Sequence, residues 1–239
     1  RNSGKPNQFS FVGNSVWCPT PDMRQRWGVA IHDSHYGSIK NNVVYNWAGA
    51  GIAGESGNES FNEIDSNLVV AGLGVGQKDN MGDEGTAIWM RGPNNRVRGN
   101  AQYNYHNVAI EAAHGRQYFM RYLGGFSIPK FPGADPTIPA EFTRVNGNNL
   151  PLLEDSGNET WSVETGVAGW WINTEDWGPV PATAAETVIN DARIVHTALF
   201  GWYGYPMNNV RFRDWVLRGD PAALANPAEY PIGLHYGDY

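Results

Sequence analysis

Histidine and acidic side chains follow two of the short apolar segments of this chain. His32 and His35 come after one such segment, and Glu55 and Glu59 come after the next. Two carboxylates beside an imidazole supply general acid–base chemistry for a glycosidic bond, and they also bind hard cations. We therefore predict a catalytic site at Glu55, Glu59, His32 and His35. The alternative is a solvated turn that holds a hydrogen-bonded histidine.

A second acidic segment, residues 78–84, carries oxygen ligands on both sides of a glycine. Its composition is that of a calcium-binding loop, although it does not have the EF-hand spacing. We predict that Asp79 and Asp83 bind a metal ion, with Ca²⁺ as the expected cofactor. An acidic surface loop without a metal is the alternative.

Aromatic and basic side chains cluster after these acidic segments. Trp89 is predicted to stack on a sugar, because a pyranose presents a C–H face to an aromatic ring. Arg91 is predicted to meet carboxylates of an acidic polysaccharide, or else to form part of a solubilising edge. Glu111 and His114 lie where a long insertion begins, a position that favours a cleft wall and substrate contact.

The elements that position these residues are short β-strands that repeat at a fixed spacing. Runs of small and β-branched residues begin at Gly28 and Gly49, 21 residues apart, and at Gly85 and Asn107, 22 residues apart. Self-similarity at this period indicates a solenoid in which each unit buries its apolar face against its neighbours. Glycine and asparagine at the corners favour a right-handed parallel β-helix, an all-β fold, in which stacked asparagines hydrogen-bond between coils.

The same pattern predicts one β-helix domain over residues 1–239. Two parts depart from it: a long Pro- and Gly-rich insertion at 114–165 and an irregular tail at 218–239. Because the chain opens at Arg1 and enters the repeat without a capping segment, we expect it to be part of a longer protein.

Composition excludes some partners. The chain has 17 basic and 24 acidic side chains, a formal net charge of −7, which argues against sequence-independent binding to nucleic acid. No run approaches the roughly 18 to 20 apolar residues of a membrane span. The single cysteine, Cys18, excludes an internal disulfide framework.

Four segments carry a resemblance to a known family: 26–34, which ends on a histidine and Asp-Ser; the Asn-bounded strand 39–46; the acidic segment 55–59; and the Trp-x-x-x-Pro-Asn-Asn run 89–95. Over residues 26–112 their order and spacing resemble the β-helix region of the cell-migration-inducing, cell-surface hyaluronidase family. The resemblance implies a right-handed parallel β-helix, a secreted or cell-surface location, a polysaccharide substrate and Ca²⁺. It also places Asn95 among the expected substrate-binding residues.

The function expected from the sequence is therefore that of an extracellular carbohydrate-active protein that binds a polysaccharide and depolymerises it as a hydrolase or a lyase. The rival interpretation is a non-catalytic structural or adhesive β-helix of a surface layer, filament or matrix. Such a protein would use its exposed strand edges for stacking with other chains or domains.

Overall fold

The computed structural model describes residues 8–19, 27–32, 34–47, 49–54, 59–71, 86–92, 94–103, 116–121, 151–170, 186–204, 207–221 and 232–236. Of 116–121 only the backbone is described. Five of the predicted site residues lie outside these ranges: Glu55, Asp79, Asp83, Glu111 and His114.

The described residues form nineteen β-strands, and every pairing between them is parallel. All strands but β14 and β16 are three to six residues long, as expected for a chain that stacks one coil on the next. The strands are β1 (Phe9–Val12), β2 (Ser15–Trp17), β3 (Trp27–Ile31), β4 (Gly37–Lys40), β5 (Val43–Tyr45), β6 (Ala50–Gly54), β7 (Glu63–Asp65), β8 (Leu68–Val70), β9 (Ile88–Met90), β10 (Arg96–Arg98), β11 (Ala101–Tyr103), β12 (Arg116–Arg121), β13 (Glu154–Ser156), β14 (Glu159–Trp170), β15 (Thr187–Asn190), β16 (Arg193–Gly204), β17 (Val210–Arg213), β18 (Val216–Gly219) and β19 (Ile232–Tyr236).

Seven coils follow one another in the described chain: β1–β3, β4–β6, β7–β9, β10–β12, β13–β14, β15–β16 and β17–β19. Sheet 1 stacks the first strand of every coil, in the order β1-β4-β7-β10-β13-β15-β17. Sheet 2 stacks the second strand and sheet 3 the third. These two sheets join because β14 and β16 run through both, with a shift in register midway. This arrangement confirms the predicted all-β parallel β-helix.

The first corner, between sheets 1 and 2, is turned in the same way in all seven coils. One residue of each coil adopts a positive φ of 51 to 72° there. Gly, Asn and Asp, which tolerate this backbone geometry, occupy six of the seven positions. They are Gly13, Asn41, Ser66, Gly99, Gly157, Asp191 and Asp214.

An asparagine follows the turning residue in coils 1 to 5. These side chains, which we call the asparagine ladder, are Asn14, Asn42, Asn67, Asn100 and Asn158. In the middle of the ladder, Asn67 Oδ1 accepts from the backbone N and from Nδ2 of Asn42, at 3.0 and 2.9 Å. Its own Nδ2 donates to Ile39 O and to Asn100 Oδ1, both at 3.0 Å. The ladder satisfies backbone groups that the turn removes from the sheets.

The core is a set of inward-facing columns, one residue per coil. Sheet 1 contributes Phe11, Ile39, Ile64, Val97, Asp155, Ile189 and Phe212. Sheet 2 contributes Val16, Val44, Val69, Gln102, Thr160, Ile194 and Leu217. Apart from the three polar members in coils 4 and 5, these residues belong to the main hydrophobic cluster, whose burial stabilises the stack.

Two predicted departures from the repeat fall partly outside the described ranges. Within 114–165 the structure has β12, β13 and most of β14, all paired with neighbouring coils, while 122–150 are not described. Within 218–239 it has β19, paired with β16.

The part of the chain that the structure describes contains no helix long and apolar enough to cross a membrane.

Candidate functional site at the corner between sheets 3 and 1

The predicted catalytic residues lie on the segments that leave sheet 3 and enter sheet 1, which form the third corner. His32 and His35 connect β3 to β4, Glu59 precedes β7, and Arg91 precedes β10. Since the flanking strands are in register, these segments stack on successive coils. The sequence-based expectation that one coil brings its residues beside those of the next therefore applies here.

The third corner repeats a left-handed turn at the ends of coils 1 to 3. Tyr36, Phe61 and Asn94 have φ of 55, 63 and 57°, and the rings of Tyr36 and Phe61 stack with centroids 4.9 Å apart. A residue with positive φ and a bulky side chain is uncommon, so the stacked neighbours must compensate for its cost. The turn directs the residue that follows it into a second set of asparagine bonds.

That set consists of Asn62 and Asn95, both fully buried. Asn62 Oδ1 accepts from the backbone N of Gly37 at 2.7 Å, and Asn95 Oδ1 accepts from the backbone N of Asn62 at 2.9 Å. Asn95 Nδ2 donates to the carbonyl oxygens of Glu59 and Gly92, both at 2.8 Å. Asn95, predicted to bind substrate, thus holds two coils together from inside the wall.

His35 and Glu59 meet across adjacent coils through the backbone. The backbone N of Ser60 donates to His35 Nδ1 at 3.2 Å, and His35 is 6% exposed. Because Nδ1 accepts this bond, the neutral ring carries its proton on Nε2. Glu59 is 0% exposed. His35 thus bonds the residue that follows Glu59 on the next coil, and both predicted residues are buried, whereas His32 is exposed.

Arg91 lies on the coil beyond Glu59 and is also buried, at 6% exposure. The contact between the two coils is close: a Cβ at position 92 would lie 2.0 Å from the carbonyl oxygen of Glu59, so only glycine fits there. The corner therefore buries a carboxylate, an imidazole and a guanidinium on three successive coils. Such groups are almost never fully buried unless they are paired and hydrogen-bonded.

Trp89 lies in a second apolar cluster, separate from the core. It is 3% exposed and packs with Ala50, Ala53 and Ala168, and with the partly buried Tyr203. In this structure the ring is a packed residue of sheet 3, and its role in sugar stacking stays a prediction.

The described residues include no group of three or more His, Cys, Asp or Glu side chains arranged to hold a metal ion. The predicted ligands Asp79 and Asp83 lie outside those residues, so Ca²⁺ binding at this loop stays a prediction.

Sequence reasoning missed one buried acid. Asp155 occupies an inward position of sheet 1, between Val97 and Ile189, and is 3% exposed. Burial raises its pKa to about 7, against the lowering effect of a 2.7 Å hydrogen bond from Asn158 Nδ2 to Asp155 Oδ1. The sequence of residues 155–160 resembles that of 55–60, but this similarity does not indicate that Asp155 points into the coil.

It also missed the ring positions of sheet 2. Pairing places Trp17, Tyr45, Tyr103 and Trp161 in one outward-facing column. Trp17, Tyr45 and Tyr103 are 63, 44 and 37% exposed. The usable signal is a ring as the last residue of an Asn- or Gly-preceded three-residue strand, repeated from coil to coil.

The outer face of sheet 1 has a different character, because it is a network of opposite charges. Arg98 lies 3.1 Å from Asp65 and 2.9 Å from Glu154, and Lys40 lies 2.5 Å from Glu63. Burial tends to raise the pKa of Glu63, but the hydrogen bond and charge of Lys40, with the charge of Arg98, bring that pKa below its usual value. The side chains of this face thus stay charged, and their opposite charges neutralise one another.

Residues 22–116 match the family model described as CEMIP beta-helix. The match covers 95 of the 239 residues, and it contains β3 to β11 and the third corner of coils 1 to 3, with His35, Glu59 and Arg91. This segment is similar to the CEMIP β-helix both in sequence and in its parallel coils. No curated protein and no solved structure matches the chain significantly.

Proposed function

We propose that this chain is a secreted or cell-surface β-helix protein that binds a polysaccharide. The observation that carries the proposal is the similarity of residues 22–116 to the CEMIP β-helix, since the family resemblance implies a polysaccharide ligand. The parallel coils add a suitable surface, because a solenoid presents long, regular faces to an extended polymer.

Depolymerisation is the further step that the predicted site residues support. In that reaction Glu55 or Glu59 protonates the leaving oxygen, and a second carboxylate or His32 activates water. In the lyase version a base removes a proton next to a uronate carboxylate. Asp79 and Asp83 would hold a cation that neutralises a substrate carboxylate.

One observation favours the alternative, a non-catalytic structural or adhesive role. Glu59 and His35 are buried, and their coils are held to their neighbours by two hydrogen bonds, from the backbone N of Ser60 to His35 Nδ1 and from Asn95 Nδ2 to the carbonyl oxygen of Glu59. A general acid must reach the glycosidic oxygen to act, which a fully buried carboxylate does not do without a local opening. We therefore propose binding as the primary function and treat cleavage as the property to test.

The test measures binding and chain length for a panel of polysaccharides (hyaluronan, pectins, alginate and neutral glucans), with and without a calcium chelator. Glu55→Gln and Glu59→Gln are compared with the wild type, and Glu186→Gln on the outer side of sheet 1 is the matched control. Shortening of one polymer that either site variant abolishes and the control retains would establish an enzyme. Binding without shortening supports a non-catalytic module, and a folded protein that binds no polymer would contradict the proposed function.

A further inference from the structure

The outer face of sheet 2 carries a continuous apolar stripe that the proposed catalytic corner does not use. One column of the stripe is Trp17, Tyr45, Val70, Tyr103 and Trp161 over coils 1 to 5. We call this column the ring row. Coils stack about 4.8 Å apart, so the ring row is about 19 Å long and one side chain wide.

Three rings of this row are open to solvent, and the ring planes of one adjacent pair are nearly parallel. Trp17 is 63% exposed, Tyr45 44% and Tyr103 37%. The rings of Tyr103 and Trp161 are inclined by only 14°, with centroids 6.5 Å apart. Near-parallel rings on a straight line offer their faces to one extended ligand and not to a compact one.

The stripe carries no formal charge in coils 1 to 4. The neighbouring outward column there is Ser15, Val43, Leu68 and Ala101. The next two members of that column, Glu159 and Arg193, face each other at 3.4 Å. A polyanion laid on this surface would lose hydration without meeting a cation, which is unfavourable. A neutral chain meets no such penalty.

The exposed area of the ring row also limits the kind of partner that can bind there. An aromatic side chain covers about 150–250 Å², so the three most exposed rings offer roughly 300 Å². A stable protein interface needs about 800 Å² on each side. A narrow, uncharged row of this size therefore fits a single polymer strand better than a folded protein.

We propose that the ring row binds one strand of a neutral polysaccharide along the β-helix axis. This inference rests on the proposed function and deepens it, because it names the surface and the ligand class. Sugar rings stack on Trp17, Tyr45 and Tyr103, and their hydroxyls stay in water on both sides of the row.

The experiment titrates the protein with uncharged β-glucan and dextrin oligosaccharides of increasing length, and with hyaluronan and alginate, at low and high salt. The test variant is Trp17→Ala/Tyr45→Ala/Tyr103→Ala. The matched control, Val12→Ala/Ile232→Ala/Leu234→Ala, removes three similarly exposed apolar side chains outside the row. Trp17→Ala alone serves if the triple variant does not fold. Circular dichroism checks folding of every protein.

We expect one neutral glycan to bind the wild type and the control with equal affinity. Its affinity should fall at least tenfold for the triple variant and at least threefold for Trp17→Ala. Salt should have little effect, because stacking involves no ion pairs. If a glycan binds but the ring variants bind it equally well, the ring row is not its site, while the proposed function stands.

Binding of acidic polymers alone would overturn the neutral class. A change of oligomeric state in the ring variants would make the face an interface between copies. If folded wild type binds no polysaccharide at all, the proposed function fails together with this inference.

Discussion

The first corner is built in two different ways along the molecule. In coils 1 to 5 it is a column of asparagine side chains, and in coils 6 and 7 the corresponding residues are Ala192 and Trp215. Asn100 Nδ2 donates to Ile64 O at 3.0 Å, and Trp215 Nε1 donates to Ile189 O at 2.9 Å, which is the corresponding carbonyl of the preceding coil. An indole thus makes the bond that an amide makes elsewhere.

The two constructions differ in how their parts depend on one another. Each central asparagine bonds both neighbours, so the ladder is cooperative. In the last coils, rings fill the interior instead: Trp215 packs edge-on to Trp202 and Phe212, with centroids 5.7 and 5.0 Å away. Asp155 lies at the junction between the asparagine ladder and the ring-filled coils. Asn158 has no asparagine above it, because the next residue of the column is Ala192, and its Nδ2 donates to Asp155 instead.

The strongest way to break the ladder is to remove a central member. Asn67→Ala removes the partner of two buried backbone groups, the N–H of Asn42 and the carbonyl of Ile39, and it also removes one of the two bonds that Asn100 Oδ1 accepts. Since each unsatisfied buried group costs about 1–3 kcal/mol, we expect a loss of about 4 kcal/mol in the free energy of unfolding.

Denaturant titration of the Asn67 variant beside Asn14→Ala gives a matched control. Asn14 ends the ladder and makes one side-chain bond within it, to Asn42 Oδ1, so its loss should cost about 1 kcal/mol. Equal losses at the two positions would mean that the ladder is not cooperative.

Asp155, at the junction between the asparagine ladder and the ring-filled coils, should make the free energy of unfolding depend on pH. The pKa of Asp155 is about 7 in the folded protein and near 3.8 when unfolded, so the folded state retains the proton over that interval. Its contribution is complete below about pH 4, falls by up to about 1.4 kcal/mol per pH unit as the pH rises, and is lost above about pH 7.

Melting curves between pH 4 and 8 test this direction. The quantity compared is the difference in stability between wild type and Asp155→Asn, which has no ionisable group at that position. Asp191→Asn, at an exposed turn, is the control and should leave the slope unchanged. A difference that grows in the opposite direction would show that Asp155 is ionised in the folded protein.

The ring-filled end can be tested at the hydrogen bond that the indole of Trp215 donates. Trp215→Phe keeps most of the packing but removes the donor to Ile189 O, and we expect a loss of about 1–2 kcal/mol. Trp17→Phe makes the same replacement on an exposed ring and should change the free energy of unfolding by less than about 0.5 kcal/mol. If both variants lose equally, the indole bond contributes nothing.

The smallest effect is expected on the outer face of sheet 1. Arg98→Ala breaks ion pairs to three carboxylates in coils 3 and 5, whereas Arg211→Ala breaks one pair, to Glu186. Partly exposed pairs are screened, so we expect about 1 kcal/mol for Arg98 and less than about 0.5 kcal/mol for Arg211. Thermal melts in low and high salt should show the Arg98 effect shrinking as salt rises.

The repeat could be predicted from the sequence because each coil carries its own turn residue and short strand. The recurrence of Asn42 and Asn100 at equivalent positions indicated an asparagine ladder, and the structure confirms both the fold and the ladder. These features are local, so a spacing argument reaches them.

The site was less predictable because burial depends on several coils at once. His35 and Glu59 were expected on adjacent coils and are there, but no spacing indicates that Glu59 is enclosed. The inward position of Asp155 and the outward column of Trp17 and Tyr45 follow from strand pairing, which the order of residue types does not fix.

The unbroken passage of β14 and β16 from sheet 2 to sheet 3 has an evolutionary consequence. In coils 5 and 6 the residues on both sides of that bend are paired with the neighbouring strand, so an added segment would break strand pairing. In coils 3 and 4 the strands of sheets 2 and 3 are separate, and two passages join them, from β8 to β9 and from β11 to β12. Length variation among descendants of this chain should therefore accumulate at those two passages, which makes them the positions where new binding loops can arise without remodelling the scaffold.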